Sequence, residues 1–167
     1  MSSKRFLVLI LALLLIGFSW WGVVTTRTGL VIRQLSREGV PLLYVAPQNA
    51  FKAPGVLIAH GYAGCKQLML GYAHVLAHAA YAVMLWDFNS HAADSQPLER
   101  NSLQKNLDTA YAALVAQPEV DGSRLATLGH SMGSGAVMSA AIADIDSLCC
   151  DCGSFTYRCI CNTKRTS

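Results

Sequence analysis

Leu125-Ala-Thr-Leu-Gly-His-Ser-Met-Gly-Ser-Gly-Ala-Val-Met138 carries the most informative pattern in the sequence. It opens on an apolar run suited to a buried strand and closes on small residues suited to a tightly packed helix, with Gly129-His-Ser-Met-Gly133 between them. A serine used as a nucleophile must project its hydroxyl from a sharp strand-to-helix turn. Such a turn leaves no room for side chains two positions before and after the serine. Gly129 and Gly133 supply that room. The N-terminus of the following helix sets amides and a partial positive charge beside any oxyanion formed by attack. A G-x-S-x-G string alone is common by chance, so its meaning comes from the strand before it and the helix after it.

Gly55-Val-Leu-Ile-Ala59 stops at His60-Gly61, Tyr81-Ala-Val-Met-Leu-Trp86 stops at Asp87, and Arg124-Leu-Ala-Thr-Leu128 stops at Gly129. All three read as strands buried on both faces, as in a parallel sheet. Between them Met69, Tyr72, Ala73, Leu76 and Ala80 share one helical face, and Leu103, Leu107, Ala110, Tyr111 and Leu114 share another. Alternating strands and helices specify an α/β architecture. Earlier, Leu30-Val-Ile-Arg-Gln-Leu35 and Val40-Pro-Leu-Leu-Tyr-Val45 flank Arg37-Glu-Gly39, which predicts a β-hairpin, with Pro41 pointing to an edge position. Residues 48–54 and 89–97 are polar connections at opposite ends of strands, Gln117-Pro-Glu-Val-Asp-Gly122 ends the second helix, and no internal repeat is present.

Three landmarks occur in order: Val56-Leu-Ile-Ala-His-Gly-Tyr62, Trp86-Asp-Phe-Asn-Ser-His-Ala-Ala-Asp-Ser95 and Gly129-His-Ser-Met-Gly133. Together they resemble the α/β-hydrolase superfamily, in particular its dienelactone-hydrolase-like and serine-aminopeptidase-like members, over about residues 29–143. The resemblance implies a mostly parallel sheet with a β-hairpin at its start. It implies Ser131 as the nucleophile, with the backbone amides of Tyr62 and Met132 as the oxyanion hole. Backbone amides suit that task because they are fixed in place before charge develops. The second landmark departs from the family's Asp-x-x-Gly-x-Gly-x-Ser pattern, having Ser90 and Ala92 where glycines are expected, so positive φ there carries strain.

The family's order is Ser, then an acid, then His. No histidine follows His130, and Asp144, Asp146 and Asp151 are not placed like the family's acid. The resemblance gives His60 a structural role in its loop, and His130 lies inside the elbow with its ring directed away from the Ser131 hydroxyl. His74, His78 and His91 read as packing or solvated residues. The chain therefore reads as the first part of a hydrolase, truncated after the elbow helix and inactive as it stands. The alternative is a membrane-anchored binding or interaction protein without turnover.

Residues 6–24 carry no charge and are long enough to cross a bilayer core of about 30 Å as a helix. Gly17 and Ser19 form a poor cleavage pair beside Trp20 and Trp21, which suit a membrane interface, so the segment reads as one transmembrane anchor. Lys4 and Arg5 before it and Arg27, Arg33 and Arg37 after it leave orientation open, and the signal-like start leans towards an exported domain.

The thirteen Lys and Arg are scattered and the net charge is +3, which excludes a nucleic-acid footprint. Cys65 stands alone until Cys149, Cys150, Cys152, Cys159 and Cys161, and these spacings are not the C-x₂-C pairs of zinc sites, so residues 148–167 read as an atypical, out-of-frame or misjoined tail. The expected organisation is a basic flank at 1–5, the anchor at 6–24, a partial hydrolase domain at 25–147 and the tail. It implies a small-molecule ester or amide substrate, the lipid bilayer as partner through residues 6–24, no nucleic acid, and neither cofactor nor metal.

Overall fold

The computed structural model describes residues 3–99, 101–143, 150–153 and 156–162. Helix α1 spans Ser3–Thr25 and is exposed along its length, so it is no core helix of the domain that follows. Its mean hydropathy over Arg5–Thr25 is 2.5, long and apolar enough to cross a membrane by length and composition. Turn hydrogen bonds over residues 26–30 then lead directly into the sheet.

Strands β1 (Leu30–Arg37) and β2 (Val40–Pro47) form the expected hairpin, with Glu38 and Gly39 at positive φ in the turn. β3 (Ala53–Ala59), a 3-10 turn (Lys66–Met69), α2 (Leu70–His78), β4 (Ala82–Trp86), α3 (Ser102–Val115), β5 (Val120–Gly129) and α4 (Met132–Ala143) follow in alternation. Two further strands, β6 (Cys150–Gly153) and β7 (Thr156–Asn162), complete a sheet of order β1-β2-β4-β3-β5-β7-β6. Parallel pairing joins β3 to β4 and β3 to β5, and the flanking pairs are antiparallel.

Period-2 alternation along β2, β3 and β4 sends side chains to two cores. Tyr44, Leu57, Met84 and Trp86 face Leu107, Ala110 and Leu114 of α3 and Ala136 and Val137 of α4. Val45, Val56, Ile58, Val83 and Leu85 face Met69, Ala73 and Ala77 on the other side. With both faces covered, β4 and most of β3 are buried throughout, as their unbroken apolar runs predict.

Three expectations are corrected. Pro41 does not mark an edge: β2 lies between β1 and β4, and the proline is tolerated near the strand start, where its carbonyl accepts from the Asp87 N–H at 3.1 Å. β5 is flanked by β3 on one side and on the other by β7, which pairs with it from Arg124↔Asn162 to Gly129↔Tyr157. β5 is not buried on both faces. Leu125–Leu128 are half-buried, since α2 packs against β1, β2 and β4 rather than β5. Finally, Tyr72 and Tyr111 are about half exposed rather than buried, with Ala77 and Ala113 filling the core-facing turns, and Ala80 lies beyond α2 at φ +67°. The expectations for Asp144, Asp146 and Cys149 fall outside the described residues.

Candidate active site

The C-terminal ends of β3, β4 and β5 converge on one edge of the sheet. Ser131 sits between β5 and α4, exposed, with φ +52°. This left-handed conformation is costly for a residue with a Cβ, by roughly 1–2 kcal/mol, and persists where the surroundings over-determine it. The surroundings here do so. The His130 N–H donates to the Ala59 carbonyl at 3.0 Å, the Gly133 N–H to the His130 carbonyl at 2.9 Å, and the Ser134 N–H to the Ser131 carbonyl at 3.0 Å.

The two elbow glycines are required sterically. A Cβ on Gly129 would lie 2.5 Å from the Ser134 Cα, and one on Gly133 would lie 2.6 Å from the carbonyl oxygens of both Ala59 and His60. Close approach of α4 to β3 is therefore built into Gly133, and that of α4 to the end of β5 into Gly129. Gly61 continues the theme: a Cβ there would lie 3.2 Å from the Ser131 Cβ and 2.8 Å from His130 Nδ1. The loop after β3 thus passes directly over the serine, and Tyr62 follows one residue later. Among the described residues no acceptor takes the Tyr62 N–H. Met132 is the first residue of α4, where helical N–H groups have no acceptor within their own helix.

His60 is wholly buried, and both ring nitrogens are engaged. Nε2 accepts from the Phe88 N–H at 3.2 Å, so Nδ1 carries the proton and donates to the Gly61 carbonyl at 2.7 Å. Burial holds its pKa below the usual imidazole value. It braces the loop, and neither nitrogen is free to take a proton from Ser131. His91 donates from Nδ1 to the Asn89 carbonyl at 2.8 Å, and its ring lies edge-on to Tyr62 at 5.4 Å and 5.5 Å from that of His60. His130 is exposed with Nδ1 against Gly61, His74 is half-buried on α2 with its pKa lowered by burial, and His78 bonds the Thr26 carbonyl.

Two buried polar clusters escaped the sequence reading. The Lys66 ammonium pairs with the Asp87 carboxylate, which also accepts the Lys66 N–H at 2.8 Å, tying the loop after β3 to the loop after β4. Lys66 is the one Lys, Arg, Asp or Glu between Lys52 and Asp87, a signal that it has a dedicated partner. Asn89 and Asn106 bond each other twice, Asn89 N–H to Asn106 Oδ1 at 3.0 Å and Asn106 Nδ2 to Asn89 Oδ1 at 2.8 Å, which fastens the β4 loop to α3. In that loop Ser90 and Ala92 do adopt positive φ, +60° and +48°, so the backbone form expected of glycines is kept with side chains in place.

Among the described residues no group of three or more His, Cys, Asp or Glu is arranged to hold a metal ion. No family model matches the chain. Two Escherichia coli proteins, each described as an uncharacterized 31.7 kDa protein in the traX-finO intergenic region, are 27% and 26% identical over 113 residues. That match covers 64% of this chain and 39% of theirs, so the chain spans about two fifths of the length of these relatives.

Among solved structures, esterase Est22 superposes with a TM-score of 0.61 at 18% identity, over 71% of this chain and 40% of that one. A dienelactone hydrolase-like promiscuous phosphotriesterase, P91, from metagenomic libraries gives 0.60 at 20%, over 69% and 55%. An epoxide hydrolase from an endophytic Streptomyces gives 0.51 at 20%, over 71% and 35%. With its alternating strands and helices, its glycine-lined turn at Ser131 and these neighbours, the chain has the α/β-hydrolase superfamily fold.

Proposed function

We propose that Ser131 is the nucleophile of a serine hydrolase site acting on carboxylic esters or amides, in a domain tethered to a membrane by α1. The observation that carries the reading is the φ of +52° at Ser131, held in an elbow with Gly61 packed against its Cβ. A residue kept in a strained conformation at the mouth of a sheet edge is a mark of a functional position.

In this reading the Ser131 Oγ attacks the substrate carbonyl carbon, its proton passes to a base, and the carbonyl oxygen becomes an oxyanion. The Tyr62 and Met132 amides hold that oxyanion, helped by the positive end of α4. Collapse of the intermediate expels the alcohol or amine and leaves an acyl-serine for water to cleave.

A serine hydroxyl is a weak nucleophile until a positioned base removes its proton. His60 has both ring nitrogens engaged, and among the described residues no histidine hydrogen-bonds Ser131. We infer that the chain as given has no ester turnover above background. The experiment is to read the coding DNA past the codon for Ile145, then assay the longer product with p-nitrophenyl acetate. A longer frame with an acid and a histidine whose product turns over the ester supports the hydrolase. A longer product without turnover favours a membrane-anchored binding protein built on the same fold.

A further inference from the structure

The antiparallel pairing of β2 with β4 places the Pro47 end of β2 beside the start of β4, at the sheet edge opposite Ser131. The anchor helix joins the domain at that same edge. Gln48 N–H donates to the Gly29 carbonyl at 2.8 Å, Leu30 pairs with Pro47, and His78 Nε2 donates to the Thr26 carbonyl at 3.0 Å. The next turn of chain, residues 48–52, carries Phe51 at 83% exposure. Its neighbour Lys52 has φ +47° and sets its ammonium 5.9 Å from the Phe51 ring centroid. Arg27 lies on the linker itself, and neither Arg27 nor Lys52 has a carboxylate partner among the described residues. Arg124 donates to the Lys52 carbonyl and is neutralised by Asp121 at 2.7 Å.

We propose that the 48–52 loop seats on the bilayer that α1 enters, with Phe51 in the headgroup and acyl boundary and Lys52 and Arg27 against anionic headgroups. An exposed aromatic beside a lysine without a carboxylate partner, on the same sheet edge as the linker that carries Arg27, has the chemistry of an interfacial contact, an apolar tip that leaves water beside charges that meet lipid phosphate. The short hydrogen-bonded linker keeps this tip beside the end of the anchor. The proposal rests on the reading of α1 as a membrane span.

It also fixes what the candidate site faces. β3 runs seven residues from the loop edge to the Ser131 edge, about 23 Å, so a domain seated on the bilayer by the loop edge, with its strands upright, holds the site in water above the headgroups. The substrate it meets is then a water-soluble ester or amide rather than a lipid resident in the bilayer.

The test is photo-crosslinking of the full chain in vesicles of phosphatidylcholine and phosphatidylserine, with a diazirine amino acid placed in turn at Leu14, Phe51 and Ser95. Leu14 lies in α1, and Ser95 is exposed on the loop after β4, at the Ser131 edge. The proposal expects lipid adducts at 14 and 51, with position 51 exceeding 95 by roughly tenfold, the contrast between a side chain at the interface and one well out in water. Adducts at 14 without any at 51 would overturn the seating of the loop while leaving the anchor. Absence of adducts at 14 would overturn the membrane reading itself. Equal adducts at 51 and 95 would overturn the orientation, and chain-to-chain adducts at 51 in place of lipid would assign the tip to a second copy.

Discussion

Gly133 and Gly135 stand two residues apart on α4, and the structure predicts opposite effects for the same change. At Gly133 an added Cβ meets the Ala59 and His60 carbonyl oxygens at 2.6 Å and the Ala59 Cβ at 2.7 Å. These are backbone or backbone-bound atoms on β3, so no flexible side chain can move aside. Overpacking of this kind costs about 1–3 kcal/mol, and the helix-propensity gain of about 1 kcal/mol offsets only part of it. At Gly135 nothing lies within 4 Å of the added Cβ, the position is exposed, and alanine is favoured by about 0.5–1 kcal/mol. Gly133→Ala should therefore destabilise and Gly135→Ala stabilise, a separation of about 0.5–3 kcal/mol, or roughly two- to a hundred-and-fifty-fold in the folding equilibrium. Urea titration in detergent micelles, followed by near-ultraviolet circular dichroism, reads the two midpoints against the parent. If both variants moved the midpoint the same way by similar amounts, the close approach of α4 to β3 would be wrong, and the elbow with it.

Other outcomes follow from the same geometry. Ser90→Gly and Ala92→Gly should each raise the urea midpoint, by a few tenths to about 1 kcal/mol, since relief of positive-φ strain exceeds the entropy cost of glycine. A lowered midpoint would mean that the strain is not there. Asp87→Asn leaves a buried Lys66 ammonium without its counter-charge and should cost about 3–5 kcal/mol, with much of the loss recovered in the Lys66→Met, Asp87→Asn double variant. A loss below about 1 kcal/mol would show that the pair is solvated. His60 is held neutral by burial in the folded chain, with a pKa below its unfolded value of about 6.5. The unfolded chain therefore binds more protons in that window, so stability is full above pH ~6.5 and declines as pH falls towards the lower folded pKa. His74, lowered by burial and then by Arg27 and His78, adds to the same slope. Melting curves at several pH values should show a shallower slope in His60→Asn, and an unchanged slope would contradict the assignment.

The parts of the fold legible in the sequence are those where local chemistry and tertiary position agree. Gly129 and Gly133 announce the elbow because neither the approach of α4 to the end of β5 nor that of α4 to β3 leaves room for a Cβ, and the apolar runs ending at Ala59 and Trp86 announce buried strands because both faces are covered. What was not legible depends on contacts distant in sequence. Lys66 and Asp87 lie 21 residues apart and meet only when two loops are brought side by side. Tyr72 and Tyr111 fit their helical periodicity, yet the small residues Ala77 and Ala113 take the core-facing places because the helices lie close to the sheet. Ser90 and Ala92 read as obstacles to positive φ, and the Asn89–Asn106 pair and the Asp87 bonds hold the loop in that form regardless. The partner strand of β5 lies in a segment whose cysteine content obscured its strand-favouring residues.

The central proposal is that Ser131 is a nucleophile served by the Tyr62 and Met132 amides, with no described histidine hydrogen-bonded to it as base. It is tested most directly by measuring p-nitrophenyl acetate hydrolysis and fluorophosphonate labelling of the full chain beside Ser131→Ala. Both chains should turn over the ester at the background rate, with slow phosphonylation confined to Ser131 and absent from the variant. Robust turnover that disappears in Ser131→Ala would contradict it, because a histidine within the chain, His91 first, would then be serving as base.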